Sequence, residues 1–226
     1  MRFLTADIHR KFGRSDGHLA LQGALLDPAF RVVITLRLCQ AAQQLSPAWR
    51  WLAVVPAKVL HRLASQLAGI EIPWRTTIAP GLALTHGRGI VVNVDARIGS
   101  NVTLFHGVTI GQRDYIDSNG QRRTEYPVIE DDVWIGPHAI VVGGVTVGKG
   151  SRIAGGAYVY QNVPPYCVVM GNPGQIVKTN CVPDVDNRYM PASPDAENQH
   201  LRPQRPSSAV NAGLTPVQRG QTQGPR

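Results

Sequence analysis

Cysteine is scarce in this chain: Cys39, Cys167 and Cys181 are the only three among 226 residues. An odd number at such spacings fits neither a disulfide framework nor a cysteine-based metal site, and reads as reduced thiols of a cytoplasmic protein. Long apolar runs are missing too. No stretch of 18 or more apolar residues occurs, which excludes a spanning helix of ordinary length, and the first residues lack the apolar core of a secretion signal. Acidic residues are short at the front. Residues 1–69 carry nine Lys/Arg against three Asp/Glu, residues 70–181 nine against eight, and residues 182–226 five against four. The net charge of +8 therefore belongs mostly to the front of the chain, and no nucleic-acid partner is expected.

What is present is a beat of six. Ile72, Ile78 and Leu84 are six apart, and after a slip of two residues Val92, Ile98, Leu104 and Ile110 continue. After a longer interruption Ile129, Ile135, Val141, Val147, Ile153 and Val159 resume it. All thirteen are Ile, Leu or Val, although these make up only 56 of the 226 residues. Four places after most of them stands a small or β-branched residue: Thr76, Ala96, Val102, Val108, Val133, Ala139, Val145, Ser151, Ala157 and Val163. A period of six is neither that of a helix nor plain alternation, so it marks a structural repeat. Three hexapeptides make one coil with three flat faces, and coils stack as parallel strands about 4.8 Å apart. Each unit buries its aliphatic residue only against its neighbours in the stack.

Before the repeat, residues 1–27 are polar and mixed, with a helical stretch expected around Asp7. Helical spacing follows from Pro28, with Phe30, Val33, Ile34, Arg37 and Leu38 on one face. A break at Ser46-Pro47 precedes an apolar and basic run from Trp49 to Leu67, ended by Gly69, which Pro56 is expected to kink or restart. We favour reading this run as a helical cap on the repeat or on a neighbouring subunit; the other reading is weak association of the basic segment with a membrane surface. Residues 182–226 are rich in Pro, Gln, Ser, Asn and Arg and read as a disordered tail. The expected organisation is thus a helical segment over 1–69, a repeat domain over 70–181 with a loop projecting at 111–128, and the tail.

The interruptions carry the chemistry, because sites form where loops leave a regular solenoid. At Thr85-His86-Gly87-Arg88-Gly89-Ile90 the beat slips by two. His86 and His106 each stand two places after an inward aliphatic residue, Leu84 and Leu104, so they stack on one edge of the prism, one coil apart. Between Ile110 and Ile129 thirteen extra residues form a polar loop with Arg113, Asp114, Asp117, Arg122, Arg123 and Glu125.

The segments Gly69-Ile-Glu-Ile-Pro, Thr85-His-Gly-Arg-Gly-Ile-Val-Val, Phe105-His-Gly-Val-Thr-Ile-Gly and Asn162-Val-Pro-Pro…Val169-Met-Gly-Asn-Pro resemble the serine acetyltransferases. They look closest to the short forms in bacterial polysaccharide clusters, including colanic-acid acetyltransferases. The resemblance covers roughly residues 28–180. It implies a mainly β fold, a left-handed parallel β-helix of hexapeptide repeats with a short N-terminal helical segment. It implies a homotrimer binding acetyl-CoA between prisms; the sequence leaves open whether two trimers join. Carried over, it makes His86 the catalytic base and Glu71 the acid that orients it, with His106 beside them. Gly111, Pro137, Arg152 and Gly155 fall at coenzyme positions, and Lys178 is a candidate phosphate partner. The chemistry agrees: a hydroxyl needs a base of near-neutral pKa to attack a thioester, and backbone N–H groups at the turns suit the developing oxyanion.

The departures concern the acceptor. Thr85 stands where the family has an acid, and Glu125-Tyr126 where it has an Arg-His pair, leaving Arg122 and Arg123 as nearby substitutes. Thr85, Arg122, Arg123 and Tyr126 are the candidate acceptor residues. A sugar hydroxyl in polysaccharide biosynthesis is therefore expected, with serine as the alternative. The γ-type carbonic anhydrases share this prism but need two histidines five residues apart, absent from 70–181, so no metal is expected. An inactive trimeric scaffold would be favoured had His86 or the loop been missing.

Overall fold

The computed structural model describes residues 2–190; most of the expected tail, 191–226, lies outside the described residues. Four helices come first: α1 (Arg2–Phe12), α2 (Gly17–Leu26), α3 (Pro28–Gln43) and α4 (Pro47–Ala68). The helical segment is therefore longer and more regular than the polar composition of residues 1–27 suggested. Asp27 starts α3 by accepting hydrogen bonds from the N–H groups of Ala29 and Phe30, ahead of Pro28 in the first turn. Gly69, in the left-handed region at φ 63°, ends α4.

Pro56 lies within α4 and does not interrupt it. Its ring and the carbonyl it deprives of a donor, that of Leu52, both sit on the solvent side, where the loss is cheapest.

The repeat then winds through β1 (Thr77–Ile78), β2 (Ala83–Thr85), β3 (Val91–Val92), β4 (Arg97–Ile98), β5 (Thr103–Phe105) and β6 (Thr109–Gly111). A hairpin, β7 (Arg113–Ile116) and β8 (Arg122–Glu125), occupies the long interruption. The coils resume with β9 (Val128–Ile129), β10 (Trp134–Ile135), β11 (Ile140–Val142), β12 (Thr146–Val147), β13 (Arg152–Ile153) and β14 (Tyr158–Val159). They finish with β15 (Val168–Met170) and β16 (Gln175–Lys178).

Three parallel faces result. The first is β1-β4-β9-β12, the second β2-β5-β10-β13-β15, and the third β3-β6-β11-β14. β16 turns back antiparallel on β15 and closes that end of the second face. The register stacks the beat: Ile78, Ile98, Ile129 and Val147 in one row, Leu84, Leu104, Ile135 and Ile153 in another, Val92, Ile110, Val141 and Val159 in the third. All thirteen aliphatic positions are buried, and so are the ten small ones between them.

The helices are locked to the first coil by a buried ion pair. Arg37 of α3 donates to both carboxylate oxygens of Asp7 of α1, and to the carbonyls of Ile78 and Ala79. Asp7 also accepts from the N–H groups of Gly81 and Leu82, so every charged atom of the pair is engaged. His61 of α4 bridges in the same way, one ring nitrogen to Thr35 and the other to the Ile72 carbonyl at 2.8 Å.

The stretch after Cys181 departs from the expected tail. Through residue 189 it runs as a strap across the second face, bonded at several points. Arg152 pairs with Asp184 at 2.7 Å, Arg188 with Asp132, and the Tyr189 N–H donates to the Asn101 side chain.

Candidate active site

The site grows from the corner after β2. His86 takes a left-handed conformation, φ 52°, and its imidazole is exposed. Gly87 follows because α3 comes close: a Cβ there would lie 2.8 Å from the Ala29 methyl. The two-residue slip thus admits the start of α3, and Asp27 with it, to the edge that carries His86.

Above His86 the same edge carries a ladder of rings. His86 and His106 have centroids 6.3 Å apart, and a third histidine, His138, lies 5.0 Å from His106. Gly107, at φ 68°, makes room for it, since a Cβ would meet the His138 ring at 2.2 Å. The sequence reading missed His138 because it stands three places after Ile135 rather than two. Its N–H nevertheless donates to the His106 carbonyl, so it belongs to the same stack. Nδ1 of His106 is buried with no partner among the described residues.

Beside the ladder lies a cleft of about 470 Å³ on the outer side of the second face. Thr85, His86, Phe105 and Trp134 form its floor, Arg10, Lys11 and Asp27 come from the helices, and Asp184 and Asp186 from the strap. Asp27 is paired with Lys11 while capping α3. Partial burial pushes its carboxyl up, but the bonds from Lys11, Phe30 and Ala29 outweigh this and hold it below the ordinary carboxylate value. Both signs of charge therefore meet within reach of an exposed imidazole.

The remaining candidates divide. Glu71 bridges to Val91 in the first coil and lines a different cavity, with Lys58, His61 and Trp74; no hydrogen bond joins it to His86. Arg152 is committed to Asp184 and stacks 4.3 Å over Trp134, so its guanidinium serves the strap. Pro137 and Gly155 share the edge above the histidines, where the Gly156 N–H donates to the Pro137 carbonyl. Gly111 closes β6 and accepts from Gly143 at the next corner. Lys178 is exposed at the end of β16.

Arg122 and Arg123 stand exposed on the hairpin, paired at its surface with Asp114 and Glu125. Tyr126 lies at its base, its hydroxyl pushed up by desolvation and by the carboxylates of Asp95 and Asp114. Within one chain, none of these three lines the cleft that holds His86.

Stacked hexapeptides wound into a three-faced prism place the chain among the hexapeptide-repeat proteins. The family described as bacterial transferase hexapeptide (six repeats) matches residues 126–161. A serine acetyltransferase of Staphylococcus aureus (strain Mu50) is 33% identical over 153 residues, 66% of this chain and 70% of that protein. The chain belongs to the serine acetyltransferase family. A serine acetyltransferase of Bacillus subtilis (strain 168) is 36% identical over 124 residues, and there the chain spans about half the relative's length, 55%. Among solved structures, a serine acetyltransferase of Brucella abortus strain S19 in complex with coenzyme A superposes with a TM-score of 0.61 at 27% identity, covering 80% of this chain and 68% of that one. The expected likeness to polysaccharide-cluster forms has no counterpart among these relatives.

Proposed function

We propose that this protein is an acetyl-CoA-dependent O-acetyltransferase whose acceptor is the hydroxyl of serine, reversing the order in which the sequence ranked its two acceptors. The observation that carries the reading is the exposed His86 imidazole on the floor of a cleft that Asp27 also lines. The relatives' names support serine over a sugar. So does Asp186 on the wall of the cleft, a carboxylate to offset an ammonium group where Thr85 offers none.

In this mechanism His86 takes the proton of the acceptor hydroxyl as its oxygen bonds to the thioester carbonyl carbon. The carbon–sulfur bond then breaks, and the imidazolium returns the proton to the departing thiolate. The products are the acetyl ester and the coenzyme thiol. Acetyl-CoA would lie along the edge above His86, past Pro137 and Gly155, with the left-handed winding the resemblance implies. A trimer is the working unit in this reading. The exposed apolar side of α4, with Trp49, Trp51, Leu52, Val59 and Leu63, supports burial against a further surface.

A sugar acceptor is the second reading, favoured by Thr85 and by Glu125-Tyr126. His86→Ala is expected to lower turnover by roughly 10²- to 10⁴-fold, with the melting temperature nearly unmoved. The measurement is thiol release from acetyl-CoA with serine and with neutral sugars as acceptors. Near-full activity in the variant removes His86 from its role, and turnover with sugars alone reverses the acceptor.

A further inference from the structure

α4 is apolar on two sides. Its inner side packs within the chain: Val54 and Ala57 close on Cys39 and Ala42 of α3, while Ala64 and Ala68 join the core of the first coil. None of the described residues covers the outer side. Leu52, Val59, Leu63 and Leu67 stand between 51% and 75% exposed along it, with Trp49 and Trp51 at the N-terminal end, 66% and 74% exposed. A helix apolar all round is stable only when buried all round, so this face has an occupant.

Charge says of what kind. Across α1 to α4 the only acidic residue is Asp7, and it is buried against Arg37. Arg50 and Arg62 of α4 are exposed, with no ion-pair partner among the described residues. Lys58, one turn before Arg62 on the same flank, reaches over the Trp74 ring at 4.4 Å. A second copy laid helix on helix would bring cation against cation, with no exposed helical carboxylate to meet either. The occupant therefore supplies both negative charge and apolar depth. Indole rings suit the boundary between the two.

We propose that the outer side of α4 docks the protein on an anionic lipid bilayer. Leu52, Val59 and Leu63 enter the acyl boundary, Trp49 and Trp51 lie at headgroup level, and Arg50 and Arg62 meet the lipid phosphates. Among the described residues no helix is long and apolar enough to cross a membrane, so α4 lies on the bilayer instead of spanning it. No residue of α4 lines the His86 cleft, so the docking holds for either acceptor.

The test is co-sedimentation of the full chain with vesicles of equal parts phosphatidylserine and phosphatidylcholine, and with vesicles of phosphatidylcholine alone. The wild type is expected to pellet with the first and to stay largely in solution with the second. Replacing both cations, Arg50→Gln with Arg62→Gln, should lower the partition coefficient for the anionic vesicles by about 30-fold. Trp51→Gln with Leu63→Gln should lower it by on the order of 10-fold or more. All four side chains are exposed, so the melting temperature should be nearly unmoved in both variants.

A wild type that stays in solution with both kinds of vesicle overturns the proposal. Vesicle binding that neither double variant weakens also overturns it, because the contact then lies elsewhere on the chain. Light scattering without lipid tests the other occupant: if Trp51→Gln with Leu63→Gln splits an assembly whose wild type binds no vesicle, the face belongs to a second copy. Sedimentation needs no turnover, so its outcome is separate from the fate of the acetyl-transfer reading.

Discussion

Inside the prism the three rows facing the axis are aliphatic from the first coil to the last. In the helical region, the same depth of burial holds Asp7, Arg10, Arg37 and His61. The rows are made of short-range contacts between neighbouring coils, and one substitution there removes contacts with two neighbours. The links that Asp7, Arg10 and Arg37 make between elements join residues 30 to 93 positions apart, and one substitution there leaves a buried partner without its counter-charge or bond. Aliphatic stacking tolerates approximate shape, whereas the charged links need each group in place.

The largest expected effect follows from that asymmetry. Asp7→Ala should destabilise by about 3–5 kcal/mol, because Arg37 stays buried without its carboxylate. Leu104→Ala, in the centre of a row, should cost about 3 kcal/mol from lost burial and the cavity left behind. Urea unfolding of both variants checks the order, and a loss below about 1 kcal/mol for Asp7→Ala would mean that the helices contribute little to the stability of the first coil.

Next comes the strap. A chain ending at residue 181 should be less stable than one ending at residue 190 by about 1–3 kcal/mol, the scale of its charged hydrogen bonds. It should also show a raised acceptor KM, since Asp184 and Asp186 leave the cleft. Equal melting temperatures and equal KM values for the two chains would restore the view of 182–190 as tail.

The smallest effect is a pH dependence. Burial lowers the His61 pKa below its ordinary value, with the Ile72 carbonyl opposing in part. The unfolded chain therefore binds the proton more readily. Stability from neutral His61 is complete above about pH 6.5 and declines as the pH falls from there toward the folded-state value. Asp27, held low, loses its contribution only in the more acid window below about pH 4. Melting temperatures between pH 7.5 and 5 should fall in the wild type and fall less in His61→Asn; parallel curves would remove His61 as the cause.

The same contrast explains how much could be read from the sequence. The row residues are legible because each coil repeats the last, so period alone places Leu104 over Leu84 and His106 over His86. His138 escaped because it stands one position later in its corner than His106 does, stacked over Gly107 instead of in phase with the other two histidines. Asp27 and Arg10 escaped for a different reason: no period connects a helix cap or a helix wall to a corner 59 or 76 residues away. Pro56 does not restart the helix, since the turn it weakens faces solvent, and the sequence does not say which side of α4 that is. The strap misled because its composition is that of a tail, while its bonds are made by a few polar side chains rather than by an apolar face.

β16 has a consequence for assembly. A stack of parallel coils ends in an edge whose backbone groups invite another strand, and a second copy of the same prism would supply one in register. Strand direction reverses at β16, so a strand added beyond it would no longer continue the prism's parallel winding on the second face. Its outward end carries Lys178, a charge that penalises burial under a further layer. The second face thus ends in an antiparallel strand with an exposed lysine at its tip, an edge poorly suited to carry the winding on into another copy.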